Sequence, residues 1–281
     1  MIAYINGQYL PKDEIRISPD DRGFLFADGA YDVIRCYEGK LFQAEAHIRR
    51  LARSISELRI ECSAIDTLQQ VAEELIQQNH LTSGQAIVYF QITRGAAPRT
   101  HRFPSPPVPA TVYAFAARFQ PHQKELDNGT RIILVSDTRW ARCDIKSISL
   151  LPNILAHQQA IDGGATEAVF VRDGAITEGA HTNVCAVVDG TLITAPKSNY
   201  ILAGITREIV LDLCRQLGIP VLEFPILDSQ LKAAAEVMLV GTTVEITPVV
   251  QVDHWPVANG QPGPITRRLQ QAFYELIQQS H

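Results

Sequence analysis

The order in which strand-like and helix-like patterns follow one another limits the folds open to this chain more than any single motif does. It opens on a strand–turn–strand signal, "YINGQYL", in which Asn6-Gly7 suits the positive φ of a tight hairpin turn. Ile48, Leu51, Ile55 and Leu58 then recur at three and four residues, predicting an amphipathic helix over 47–60, and a second helix is expected over 66–78. "QAIVYFQITRG" and "ATVYAFAARF" read as apolar-rich strands. Between them lies "GAAPRTHRFPSPPVP", too long for a simple hairpin, and long ordered loops in compact domains tend to be functional. Residues 119–130, "FQPHQKELDNGT", are polar and carry Pro, Asn and Gly, which marks a domain boundary. Beyond it come a strand ("RIILVSD"), a helix near 152–161, and short strands with Asp-Gly turns in "EAVFVRDGAITEG" and "NVCAVVDGTLITA". A helix over 206–217, strands in "EVMLVGTTVEITPVV" and a last helix from about Pro264 complete the chain. This irregular alternation predicts an α+β fold rather than a doubly wound sheet. The expected division is a domain over 1–120, a linker region over 121–130 and a second domain over 131–281.

Composition narrows the function classes. A chain of 281 residues, 46% hydrophobic and 20% charged, can bury the cores of two such domains. A net charge of −5, with no Lys/Arg cluster beyond pairs, argues against a nucleic-acid partner. No apolar run reaches the ~18 residues of a membrane span, and "MIAYINGQYLPKDE" lacks the basic start and apolar core of a secretory signal. The five cysteines are scattered and form no CxxC, so neither a disulfide framework nor a metal site is assigned and a reducing cytoplasm is expected.

One lysine stands out. Lys146 lies between Ile145 and Ile148 in "RWARCDIKSISLLPN", in a chain with six lysines against nineteen arginines. Its pattern alone fits a side chain that snorkels from a sheet edge. The less ordinary reading is an amine kept neutral by apolar surroundings, able to attack an aldehyde such as that of pyridoxal phosphate. That chemistry needs a carboxylate for the pyridine nitrogen, a cup for the phosphate and an anchor for a substrate carboxylate. Glu178 in "AITEGAHTNV" precedes a glycine that lets backbone pass close to a flat ligand. Gly204 in "LAGITREIVLDLC" precedes a helix whose first N–H groups, at Ile205 and Thr206, would face an anion. "VGTTVEITP" adds the hydroxyls of Thr242 and Thr243. Each has a plainer reading: Glu-Gly as a turn, Thr206 as a helix cap, Thr242 and Thr243 as ordinary strand residues.

Taken in order, "DRGFLFADGAYDVI", "HIRRL", "RWARCDIKS", "TEGAHTNV", "LAGITR" and "GTTVEITPV" resemble the fold-type-IV pyridoxal-phosphate enzymes from about Tyr4 to the last helix. The resemblance implies a small N-terminal α/β domain and a larger C-terminal pseudo-barrel domain, with pyridoxal 5'-phosphate held between them. It implies that Lys146 bonds the cofactor and shuttles the substrate's proton, and that Glu178 keeps the ring nitrogen protonated. Arg50, Ile205, Thr206 and Thr242 are implied at the phosphate, and Leu202 is implied as a further cofactor contact. By its pattern alone Arg50 is a solvated arginine on a helix face.

The family holds branched-chain aminotransferases, D-amino acid aminotransferases and aminodeoxychorismate lyases. "TRGAAPRTHRFP" resembles the carboxylate trap of the bacterial D-amino acid enzymes, in which Arg99 and His101, with Tyr31, grip the substrate carboxylate. Thr243 is expected beside the substrate. The resemblance implies amino-group exchange between D-amino acids, such as D-alanine or D-glutamate, and 2-oxo acids. It also implies a homodimer in which the neighbouring subunit contributes Arg99 and His101. An L-branched-chain or (R)-amine transaminase, a lyase and a non-catalytic binding module are the alternatives. The chain departs from the D-enzymes after "TEG", where Ala180, His181 and Thr182 stand in place of serines. His181 is open between a cofactor contact and an ordinary loop residue, and Cys143 reads as a packed thiol.

Overall fold

The computed structural model describes residues 1–279; residues 280 and 281 of the expected second domain lie outside it. The chain forms two compact units, residues 1–120 with 145–149, and residues 121–144 with 150–279.

The first unit contains β1 (Ile2–Ile5), β2 (Gln8–Pro11), α1 (Arg22–Phe26), β3 (Gly29–Tyr37), β4 (Lys40–Leu41), α2 (Ala44–Glu57), α3 (Leu68–Gln78), β5 (Gln85–Thr93) and β6 (Thr111–Arg118). Its sheet runs β2-β1-β6-β5-β3-β4, antiparallel throughout. The two-residue period of β5 and β6 sends Ala86, Val88, Phe90, Ile92, Val112, Ala114 and Ala116 to one face. There they pack with Leu51 and Ile55 of α2 and Leu68, Val71, Leu75 and Ile76 of α3. The alternate positions Tyr31, Tyr89 and Phe115 stack across neighbouring strands, with ring centroids 5.8 and 5.3 Å apart. The five residues 145–149 belong to this unit because their backbone pairs with β3. Tyr31 N–H donates to Lys146 O (3.0 Å), Ile148 N–H donates to Gly29 O (3.0 Å), and Ala30 bridges Ser147.

The second unit contains α4 (Gln123–Asn128), β7 (Thr130–Ser136), α5 (Leu151–Asp162), β8 (Glu167–Arg172), β9 (Ala175–Gly179), β10 (Asn183–Val188), β11 (Thr191–Thr194), α6 (Ile205–Gln216), β12 (Val221–Glu223), β13 (Ile226–Leu227), α7 (Asp228–Lys232), β14 (Glu236–Gly241), β15 (Glu245–Val252), β16 (Trp255–Pro256) and α8 (Pro264–Gln279). Its mixed sheet runs β12-β11-β10-β14-β15-β7-β8-β9-β13, with β16 on β15. β8 and β10 are buried along most of their length, which is why they read as continuous apolar runs. Residues 121–130 carry α4 and the first residue of β7 instead of a linker. Arg267 and Gln270 of α8 both donate to the Leu126 carbonyl (2.9 and 3.0 Å), and this tie orders a polar stretch. Buried Glu236 caps α8, accepting from the N–H groups of Ile265 (2.9 Å) and Thr266 (2.7 Å) and from Thr266 Oγ1 (2.6 Å). Helix α5 leaves Leu151, Ile154 and Leu155 about two-thirds exposed. No helix among the described residues is long and apolar enough to cross a membrane.

Candidate active site

Each unit carries one of the constellations that hold the expected site residues. In the first, Lys146 is fixed through its backbone: it pairs with β3, and its N–H donates to Ser54 Oγ on α2 (3.2 Å). The side chain is half-buried, donates from Nζ to Tyr31 Oη (3.3 Å) and lies 4.4 Å from the Tyr31 ring centroid. The strand period turns the next residue, Asp32, to the opposite face, toward α2. There Arg50 grips it with two hydrogen bonds, Nε to Oδ2 (2.9 Å) and Nη2 to Oδ1 (2.8 Å), and His47 Nδ1 lies 2.8 Å from Oδ1. Burial works to raise the Asp32 pKa, but Arg50 and His47 prevail and hold it well below the usual carboxylate range. Burial pushes the His47 pKa down, against the pull of Asp32. His47 and Arg50 share one helix face because they are three residues apart.

The loop after β5 is held by backbone. Buried Arg22 donates from Nη1 to the carbonyls of Thr100 (2.7 Å) and Arg102 (3.5 Å), and Asp28 ties Arg22 to Arg94. Arg99 and His101 both gather at Phe26, with the guanidinium carbon 5.0 Å and the imidazole 5.8 Å from the ring centroid. Both are exposed, and among the described residues no hydrogen bond or ring contact joins either to Lys146 or Tyr31.

In the second unit, Glu178 of β9 is buried among donors. Its Oε1 accepts from Arg139 Nη1 (2.6 Å), and its Oε2 accepts from Asn183 Nδ2 (3.1 Å) and Leu202 N–H (2.9 Å). Arg139 is in turn fixed by Asp137 through Nε (2.9 Å) and Nη2 (2.9 Å), and lies 4.2 Å from the Phe170 ring centroid. Burial works to lower the Arg139 pKa, yet Asp137 and Glu178 raise it, so the guanidinium stays charged. The same pairing holds Asp137 low against its burial. Asn183 also reaches Leu202 O (3.0 Å) and packs on Gly204, where an added Cβ would lie 2.0 Å from Asn183 Oδ1. Gly204 is the N-cap of α6, whose first N–H groups, at Ile205 and Thr206, have no acceptor among the described residues. Thr242 and Thr243 are half-buried in the three-residue turn between β14 and β15.

His181 puts Nδ1 2.9 Å from Glu167 Oε2, and Thr182 Oγ1 donates to the same oxygen (3.0 Å). The hydroxyl that replaces a serine here is thus committed to Glu167. Cys143 is buried, with its thiol pushed up to about 11 by that burial, and is no nucleophile. The sequence motifs contain Arg139, Asp32 and Asn183 but do not single them out. The one available signal was the Asp137-x-Arg139 and His47-x-x-Arg50 spacing.

The sequence matches the family described as amino-transferase class IV over residues 29–252. It is 41% identical to a D-alanine aminotransferase of Staphylococcus haemolyticus over 277 residues, 98% of each chain. It is 38% identical to that of Bacillus licheniformis, over 99% of this chain and 97% of that one. In structure it is similar to the branched-chain amino acid aminotransferase of Escherichia coli (TM-score 0.91, 27% identity, 98% and 94% covered). It is also similar to the T.th. branched-chain amino acid aminotransferase solved with pyridoxamine 5'-phosphate (TM-score 0.91, 26% identity, 100% and 95% covered). A lysine on a tyrosine hydroxyl, a buried glutamate paired with an arginine and an open helix N-terminus occur in a chain that these matches cover almost end to end, and the chain belongs to the class IV aminotransferases.

Proposed function

We propose that this protein exchanges amino groups between D-amino acids, D-alanine and D-glutamate among them, and 2-oxo acids, with pyridoxal 5'-phosphate as cofactor. The observation that carries the reading is the 38–41% identity, over nearly the full length, to proteins named D-alanine aminotransferases.

The residues present suit that cofactor. Glu178 is a buried carboxylate paired with Arg139, an acceptor that suits a protonated pyridine nitrogen. The unaccepted N–H groups of Ile205 and Thr206 suit a phosphate, with Thr242 and Arg50 as further donors. Leu202, whose N–H donates to Glu178, would be a further cofactor contact. When bound, the cofactor acts as an electron sink that makes the substrate Cα proton removable. Lys146 Nζ would carry that proton between the substrate Cα and the cofactor C4′ in each half of the exchange, and Tyr31 Oη holds the amine in position. Asp32 fixes the Arg50 guanidinium plane. Tyr31, Thr243 and the Arg99–His101 pair bind the substrate carboxylate. The pocket that takes the carboxylate decides which hand of amino acid presents its Cα–H to the lysine.

The assembly is a homodimer in the cytoplasm, with Arg99 and His101 supplied by the neighbouring subunit. Two observations support this. Both residues are exposed without contact to Lys146 among the described residues, and α5 presents apolar surface of the kind an interface covers.

The test is incubation of the purified holoenzyme with D-alanine or L-alanine and 2-oxoglutarate. Pyruvate formed from D-alanine alone supports the reading. The likeness in structure to branched-chain enzymes favours a second one, and turnover of L-leucine with none of D-alanine would select it.

A further inference from the structure

The first residue of β8 is a glutamate in an otherwise apolar run, "EAVFVR", and 1% of the Glu167 side chain is exposed. Two imidazoles converge on it from other elements of the same unit. His181, in the turn between β9 and β10, puts Nδ1 2.9 Å from Oε2, and His157, on α5, puts Nδ1 3.6 Å from Oε1. The two rings lie 5.1 Å apart at 88°, in edge-to-face contact. One ligand atom from each of the three residues lies within 4.8 Å of the other two.

Two details separate this cluster from an ordinary buried ion pair. His157 Nδ1 is buried and makes no hydrogen bond among the described residues, since 3.6 Å is beyond hydrogen-bond reach. A nitrogen aimed at a carboxylate but left short of it is the arrangement that an ion between them would complete. The carboxylate is also held from behind. Oε2 accepts from Thr182 Oγ1 (3.0 Å) and His181 N–H (3.2 Å), and Oε1 accepts from Ala168 N–H (2.9 Å). Such outer contacts orient a metal ligand and are a regular part of metal sites. Gly179 completes the enclosure, because a Cβ there would lie 2.1 Å from Thr182 Oγ1 and 2.9 Å from Glu167 Oε2.

We propose that His157, Glu167 and His181 bind one first-row divalent cation, with zinc the representative ion, and leave a fourth position open to water. Two imidazoles and one carboxylate are a donor set that Zn²⁺ takes readily at ~2.0–2.2 Å. The histidine side chains are 40% and 42% exposed, which gives the ion a route in. The bound ion ties α5, β8 and the turn that directly follows Glu178 into one cross-link. The ligands come from three elements at spacings of ten and fourteen residues, so no short metal motif announces them. The inference stands independently of the substrate reading above.

The experiment uses the full-length holoenzyme, stripped with a chelator and dialysed to equilibrium against ZnCl₂, with bound metal counted by mass spectrometry. Wild type should retain one zinc per chain. His157→Asn and His181→Asn should each weaken binding by about 10–100-fold or more, the loss that even outer-contact changes produce. The double variant should retain none and should lose the rise in melting temperature that zinc gives the wild type. Both histidines are partly exposed, so the variants are expected to fold, and circular dichroism checks this. A Co²⁺-loaded wild type should show the visible absorption of a four-coordinate site, absent from the double variant. Failure of the wild type to retain zinc means a hydrogen-bonded His–Glu–His cluster only, and overturns the proposal. Retention by the double variant at wild-type affinity places the ion elsewhere and overturns it equally.

Discussion

A carboxylate with 1% of its surface exposed, Asp32, orients both the arginine and the histidine that α2 sends toward β3. Its folded-state pKa is depressed, so its ion pairs contribute stability above the ordinary aspartate range. That contribution is lost as pH falls from about 4 toward the folded value. Asp32→Asn leaves Arg50 without its charge partner and should lower stability by about 3–5 kcal/mol at neutral pH, measured by urea unfolding. The gap between variant and wild type should narrow as the pH is taken below about 4, and a gap independent of pH would remove the electrostatic explanation. Glu178→Gln removes a charge that Arg139 holds in place. We expect single-turnover amino transfer to slow by roughly 10²-fold or more, with cofactor retention less affected. Unchanged single-turnover kinetics would remove Glu178 from the ring-nitrogen role. Lys146→Ala should reduce turnover to background while leaving the melting temperature close to wild type. Reductive fixation of cofactor on Lys197 or Lys232 in the wild type would contradict the assignment.

Among the elements, α8 depends on a cap from a distant strand. Glu236→Ala removes the acceptor of two backbone N–H groups and one hydroxyl, and should cost about 1–2 kcal/mol in denaturant unfolding. An unchanged midpoint would mean that water replaces the cap. The long elements were legible in the sequence: α2 from Ile48, Leu51 and Ile55 at helical spacing, β5 and β6 from their alternation. Helices α1, α4 and α7, of five or six residues, were not, because less than two turns displays no period. The return of residues 145–149 to the first unit was also hidden, since it rests on backbone pairing with β3 that side-chain patterns do not encode. Around the candidate residues, the supporting contacts could not be read. Arg139, Asp32 and Glu167 look like any surface charge until the fold buries them beside a partner.

For the whole molecule, the proposed shared site has a direct test in mixed dimers. A Lys146→Ala subunit keeps an intact loop, and an Arg99→Ala, His101→Ala subunit keeps the lysine. Each homodimer should be nearly inactive toward D-alanine. If the loop works in trans, the mixed dimer holds one complete site, and co-expression should restore about half of the wild-type activity in verified heterodimers. Activity at background would place Arg99 and His101 in their own chain's site. The way this loop is held also bears on how such a chain changes its diet. Arg22 grips the carbonyls of Thr100 and Arg102, atoms that every amino acid possesses, so the grip is indifferent to the side chains at 99 and 101. The mount therefore does not depend on which two side chains it carries. If Arg99 and His101 anchor the substrate as proposed, substitutions at those two positions would change the anchor and leave the mount in place, and a combinatorial library confined to them would sample new specificities on an unaltered frame.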